Sequence, residues 1–238
     1  MSAIKHLKKL IGQRIIIGFD GTKTPADVLR FDEEWGIGGY ILFKRNLEEF
    51  EQLMTLTEEL WGLGPSIPPF IGVDQEGGVV HRVPEPFTVF PSMGSLGNVS
   101  SVSVAYEAGA VIGRELTATG FNVNFAPVLD LNTNPDNPII GQRSISDDPV
   151  RVAVLTKAMV QGTHDNSVIA CDKHFPGHGD TREDSHEKLP VCDLGLERLR
   201  SKELYPYREL IQNPPHLDMV MTAHVLYPEV DPERPATL

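Results

Sequence analysis

The stretch SVIACDKHFPGHGDTREDSH (residues 167–186) runs an apolar, β-branched segment into a lysine and a histidine, then breaks at Pro176 and Gly177. A strand that ends in polar residues sets the pattern for the whole chain. Five other runs repeat it: RIIIGF (14–19), GYILF (39–43), FIGV (70–73), NVNFAPVLDL (122–131) and DMVMTAHV (218–225). Most are apolar on both faces, as suits parallel strands covered on both sides. Chemistry gathers where they stop: Asp20, then Lys44-Arg45-Asn46, then Asp74 and Glu76, then Asp130, then Lys173 and His174, then His224.

Amphipathic segments lie between these runs. Asn46, with Glu49 three residues on, can cap a helix that places Leu47, Phe50, Leu53, Met54, Leu60 and Trp61 on one side. Asp148-Pro149 fits N-cap and N1 of a second helix, and Ser100 or Ser101 opens a third that Gly120 can close. Alternating strands and helices give a closed (β/α)₈ barrel or an open doubly wound sheet. A barrel collects its chemistry at the C-terminal ends of several strands. No Gly-x-Gly-x-x-Gly or Walker-type loop supports the alternative. The expectation is an α/β TIM-type barrel in one domain spanning residues 1–238, incomplete because about six of its eight βα units are present.

Composition narrows the function classes. Of 238 residues, 33 are acidic and 21 basic, a net charge of −12 with no lysine or arginine run, which excludes nucleic acid as a partner. Cys171 and Cys192 show no Cys-x-x-Cys spacing, so neither a disulfide framework nor a zinc knuckle is written here and reduced thiols are expected. The basic N-terminus precedes an apolar run too short for a signal-peptide core, and no stretch reaches transmembrane length. A cytoplasmic protein with no membrane partner is expected.

In the loop after residue 175, Pro176, Gly177 and Gly179 imply an irregular backbone. Asp184-Ser185-His186 puts a carboxylate two residues from an imidazole. Such a carboxylate fixes the ring tautomer and raises its basicity, which suits general acid and base work. The group His174, His178, Asp180 and His186 equally suits a zinc, iron or nickel site. On residue types alone, a dyad, a metal site and a solvated loop stand level.

Seven segments in order extend across nearly the whole chain: GGYILFKRN (38–46), GVDQEGGVVHR (72–82), FPSMGSLG (90–97), NFAPVLDLN (124–132), GQRSIS (141–146), KHFPGHGDTREDSH (173–186) and VMTAHVLYPEVDP (220–232). With them the chain resembles the β-N-acetylglucosaminidases of glycoside hydrolase family 3, of the cytoplasmic type that acts in peptidoglycan recycling. The resemblance implies removal of non-reducing terminal β-linked N-acetylglucosamine from muropeptide fragments, by a retaining mechanism, in a monomer with no metal and no cofactor. It makes His186 the general acid and base and Asp184 its orienting partner. It makes Asp74 the carboxylate that binds sugar hydroxyls, and Arg82, Arg143, Lys173 and His174 the residues that grip the sugar and its N-acetyl group. Arg143 and Lys173 can also be read as structural partners of Asp130 or Asp172.

Two departures from the family pattern stand out. The Ser-Asp-Asp motif that bears the family's nucleophile is absent between Met1 and Leu238, and Val79 stands where an arginine is common. A chain that ended at Leu238 would lack turnover and expose apolar edges of an unclosed barrel. An inactive sugar-binding homologue and a metal-dependent barrel hydrolase are the competing expectations.

Overall fold

The computed structural model describes residues 3–64, 67–184, 187–212 and 217–238. Six strands form one sheet: β1 (Ile16–Ile17), β2 (Gly39–Leu42), β3 (Phe70–Val73), β4 (Val123–Asn124), β5 (Ile169–Phe175) and β6 (Met219–Thr222). Their spatial order is their chain order, and every neighbouring pair is parallel. Helix α1 (Ala3–Gly12) precedes β1, and α2 (Ala26–Trp35) and α3 (Phe50–Trp61) make the next two crossovers. The later crossovers carry α4 (Met93–Val99) with α5 (Val102–Ala118), then α6 (Pro149–His164), then α7 (Leu196–Arg198) with α8 (Tyr205–Gln212). The result is the expected α/β architecture, a curled, incomplete barrel of six strands.

The core lies between sheet and helices. Tyr40 and Leu42 of β2 and Ile71 and Val73 of β3 are fully buried. Leu53, Leu56 and Leu60 of α3 recur at helical spacing and close over them. At the two edges of the sheet, Ile16 of β1 and Val220 of β6 are 37% and 38% exposed. Among the described residues no helix is long and apolar enough to cross a membrane.

Two of the three helix starts fall where the sequence puts them. The Asp148 side chain accepts from Val150 N with Pro149 first in the helix, and Ser101 accepts from Val104 N. Gly120 follows the end of α5 at φ 82°. Asn46 does not cap α3. It closes a 3₁₀ turn (Lys44–Asn46), accepts from Phe43 N and donates to the carbonyls of Phe19 and Gly21, which ties the ends of β1 and β2 together. Asparagine serves caps and loop ties through the same side-chain-to-backbone bonds, so its type alone does not separate them. The run at residues 122–131 pairs regularly only over Val123–Asn124 and returns to the sheet at the Val128–Lys173 bridge, past Pro127, which has no N–H to donate.

Candidate active site

Asp74 and Glu76 follow β3 two residues apart, the spacing that puts both side chains on one face of extended chain. Lys173, near the end of β5, points to the same place. Its Nζ lies 2.6 Å from Asp74 Oδ1 and 2.6 Å from Glu76 Oε1, with the side chain only 2% exposed. Arg143 ends a 3₁₀ turn (Gly141–Arg143) and donates from Nε and Nη2, each at 2.8 Å, to the two oxygens of Glu76. Burial alone would push the Glu76 carboxyl up. Lys173 and Arg143 outweigh burial and hold it at about 2, so Glu76 is anionic throughout the working pH range.

A second anchor lies beside the first. Asp130 is fully buried, and its carboxylate takes His174 Nδ1 at 2.6 Å together with the backbone N–H groups of His174 and His178. A carboxylate only accepts, so Nδ1 carries the proton and Nε2 is the ring nitrogen left for a ligand. Burial opposes the charge on Asp130, but the adjacent His174 and His178 hold its pKa below the usual carboxylate range.

All of these residues except Asp130 line a cavity of about 470 Å³ at the C-terminal ends of the strands. Asp74, Glu76, Arg82, Arg143, Lys173, His174 and His178 form its polar wall, and Ile41, Phe43, Met221 and His224 complete it from β2, β6 and the segments that follow them. Two anions and two cations meet in the Asp74–Glu76–Lys173–Arg143 cluster. That balance leaves fixed donors and acceptors without a strong net field, which suits a neutral, hydroxyl-rich ligand. Among the described residues no group of three or more His, Cys, Asp or Glu side chains is placed to hold a metal ion.

All five residues expected to grip a sugar, Asp74, Arg82, Arg143, Lys173 and His174, come together here. Lys173 and Arg143 do not pair with Asp172 or Asp130; their partners are Glu76 and, for Lys173, Asp74 as well. Asp172 alternates with Lys173 along β5 and faces away, its side chain buried with no hydrogen-bond partner among the described residues. Burial, with Asp218 nearby, raises its pKa well above the carboxylate range. Asp184 is half-buried, its carbonyl accepts from Glu187 N and Lys188 N, and it does not line the cavity. His186 lies outside the described residues. The sequence reading placed Glu76 and Asp130 among the polar strand ends but assigned neither a role in the site; the Asp-x-Glu spacing after β3 was the available signal for Glu76.

The fold agrees with what the chain is similar to. Residues 8–238 match the model of the glycosyl hydrolase family 3 N-terminal domain. A β-hexosaminidase of Idiomarina loihiensis is 37% identical, over 92% of this chain and 66% of the relative. A family 3 β-N-acetylglucosaminidase from Paenibacillus superposes with a TM-score of 0.91 at 44% identity, covering 97% of this chain and 44% of that one. NagZ from Neisseria gonorrhoeae, in complex with N-trifluoroacetyl-D-glucosamine, gives 0.87 at 36% identity, covering 93% of this chain and 66% of that one. The chain spans 36% of one curated relative's length and 64–66% of four others. The match of that family model to residues 8–238 places this chain in glycosyl hydrolase family 3, as its N-terminal domain.

Proposed function

We propose that residues 1–238 form the sugar-gripping barrel domain of a cytoplasmic, monomeric β-N-acetylhexosaminidase that releases non-reducing terminal N-acetylglucosamine from muropeptide fragments with retention of configuration. The observation that carries this reading is the charge-balanced cluster of Asp74, Glu76, Lys173 and Arg143 at the mouth of the barrel. Asp74 and His174 Nε2 accept from sugar hydroxyls while Lys173 and Arg82 present donors. Glu76 touches no substrate in this scheme; it fixes the two cations that do the positioning. His186, oriented by Asp184, protonates the leaving glycosidic oxygen as a carboxylate attacks the anomeric carbon, and then takes a proton from the water that displaces that carboxylate. The names of the relatives, β-hexosaminidase and β-N-acetylglucosaminidase, support the substrate class.

A retaining reaction also requires a carboxylate in reach of the anomeric carbon. Among the described residues the carboxylates lining the cavity are Asp74 and Glu76, both committed to ion pairs. That observation favours a second reading, binding of the sugar by this chain without turnover.

Calorimetric titration tests the first claim. Saturable, one-to-one binding of N-acetylglucosamine, with at least about tenfold weaker binding by Asp74→Asn, is expected, the loss of one charged hydrogen bond being worth roughly 1.5–3 kcal/mol. Absence of saturable binding, or equal affinity for the variant, contradicts the assignment. An aryl N-acetylglucosaminide then separates the readings: release of the aryl group, abolished in His186→Ala, supports the hydrolase, and binding without release supports the second.

A further inference from the structure

The turn between β3 and Arg82 holds a hydrogen-bond arrangement with a single consistent solution. Gln75 is 2% exposed and clamped to β4, its N–H donating to Asn124 Oδ1 and its carbonyl accepting from Asn124 Nδ2, both at 3.0 Å. Beyond it the chain reverses through Gly77 and Gly78, at φ 104° and 57°, with Val80 O accepting from the N–H groups of Glu76 and Gly77. The side chain of Gln75 spans this reversal. Its Oε1 lies 2.9 Å from Arg82 N and its Nε2 lies 2.7 Å from His81 Nδ1. A backbone N–H can only donate, so the amide oxygen must face Arg82. The amide NH₂ then faces His81, and because it too only donates, Nδ1 must offer its lone pair. The imidazole is therefore neutral, with its proton on Nε2.

We propose that Gln75 and His81 act as a positioning device for Arg82 that holds only while His81 is neutral, so that sugar affinity falls when this imidazole is protonated. The proposal rests on the reading of the cavity as an N-acetylglucosamine site, which Arg82 lines. A proton on Nδ1 would set an N–H against the Gln75 NH₂, 2.7 Å away. Turning the amide to recover that contact would set its NH₂ against Arg82 N instead. Neither orientation keeps both bonds, so the segment from Gly77 to Arg82 loses one of its two ties to the Gln75 side chain.

The surroundings of His81 favour the neutral ring. Burial lowers its pKa, and Lys44 at the end of β2 and Arg82 on the same turn act in the same direction, while Glu115 of α5 and the Val83 carbonyl act against them. With the folded pKa below the ordinary value, the device is whole at neutral pH and is lost as pH falls through the folded pKa. His174, His178 and His224 also line the cavity, so the pH dependence of binding must be assigned by substitution.

The experiment has two arms on the same protein. In ¹⁵N-labelled protein at about pH 7.5, the His81 ring should show a lone-pair Nδ1 and a protonated Nε2. N-acetylglucosamine is then titrated from about pH 7.5 to about pH 5 into wild type, His81→Gln and His81→Phe, the range in which an imidazole changes charge. Gln offers an oxygen for the Gln75 NH₂ and cannot titrate; Phe offers no acceptor. Wild type should lose affinity at least about fivefold more than His81→Gln on acidification, roughly 1 kcal/mol. His81→Phe should bind more weakly than His81→Gln at both ends of the range. The opposite tautomer, or equal pH dependence in wild type and His81→Gln, overturns the proposal. If no form binds the sugar, the site reading fails, and the tautomer arm still decides whether the device exists.

Discussion

Replacing Glu76 by glutamine removes one charge and keeps the shape of the residue at the centre of the site. In the native protein that carboxylate takes Lys173 Nζ at 2.6 Å and Arg143 Nε and Nη2 at 2.8 Å each, with its side chain 1% exposed. Glutamine leaves Arg143 with no carboxylate partner and sets an amide NH₂ against a cation. Breaking a buried ion pair by removing one partner costs about 3–5 kcal/mol, because the remaining charge stays desolvated. The pH behaviour gives a second estimate. Glu76 ionises at about 2 in the folded protein against 4.5 for the free side chain. That interval corresponds to about 3 kcal/mol, present in full above the unfolded pKa and lost as pH falls through the folded one. Urea unfolding is the assay. With a slope of about 2–3 kcal/mol per molar, Glu76→Gln should lower the midpoint by about 1–2 M at neutral pH and flatten the loss of stability between about pH 4.5 and pH 2. A midpoint shift below about 0.3 M at unchanged slope, or wild-type acid sensitivity in the variant, would refute the assignment of Glu76 as the ionic anchor of Lys173 and Arg143.

Other substitutions probe other parts of the site. Asp130→Asn should leave the His174 ring without its carboxylate and cost about 1–3 kcal/mol in urea unfolding, and nitrogen NMR should show His174 losing its fixed Nδ1–H tautomer. Gly179→Ala would bring a methyl group within 1.6 Å of the Leu131 carbonyl oxygen, so at least about 1–3 kcal/mol of destabilisation is expected, with displacement of the 176–184 segment visible as amide shifts. Lys173→Met keeps the stem and removes the charge; it should weaken N-acetylglucosamine binding about tenfold or more and leave Asp74 and Glu76 facing each other without their shared cation. Burial pushes the thiols of Cys171 and Cys192 up to about 12, so a thiol reagent at neutral pH should label them only as fast as the protein unfolds.

The strands were legible because a parallel sheet buried on both faces demands unbroken apolar runs, and the polar residues beyond those runs marked the mouth of the barrel. Asp74, Lys173 and His174 could be found from that rule alone. Their partners could not be found by residue type, since Lys173 has Asp172 beside it in sequence and Asp130 at the end of a neighbouring run. The two-residue period of a strand resolves it: Asp172 must face away from Lys173, and Glu76 must share a face with Asp74. Arg143 depends on a 3₁₀ turn with no apolar period to reveal it, so only the resemblance pointed to it. Asn46 shows the converse limit, a residue whose capping chemistry was spent on joining two strand ends.

The most direct test of the site is amide and imidazole shift mapping as N-acetylglucosamine is added to the labelled protein. Perturbations centred on Asp74, Arg82, Arg143, Lys173 and His174, saturating together, are the predicted result. Saturable shifts centred instead on the polar hollow around Asn98, Gln142 and Arg151, with the Lys173 and His174 signals unmoved, would contradict it.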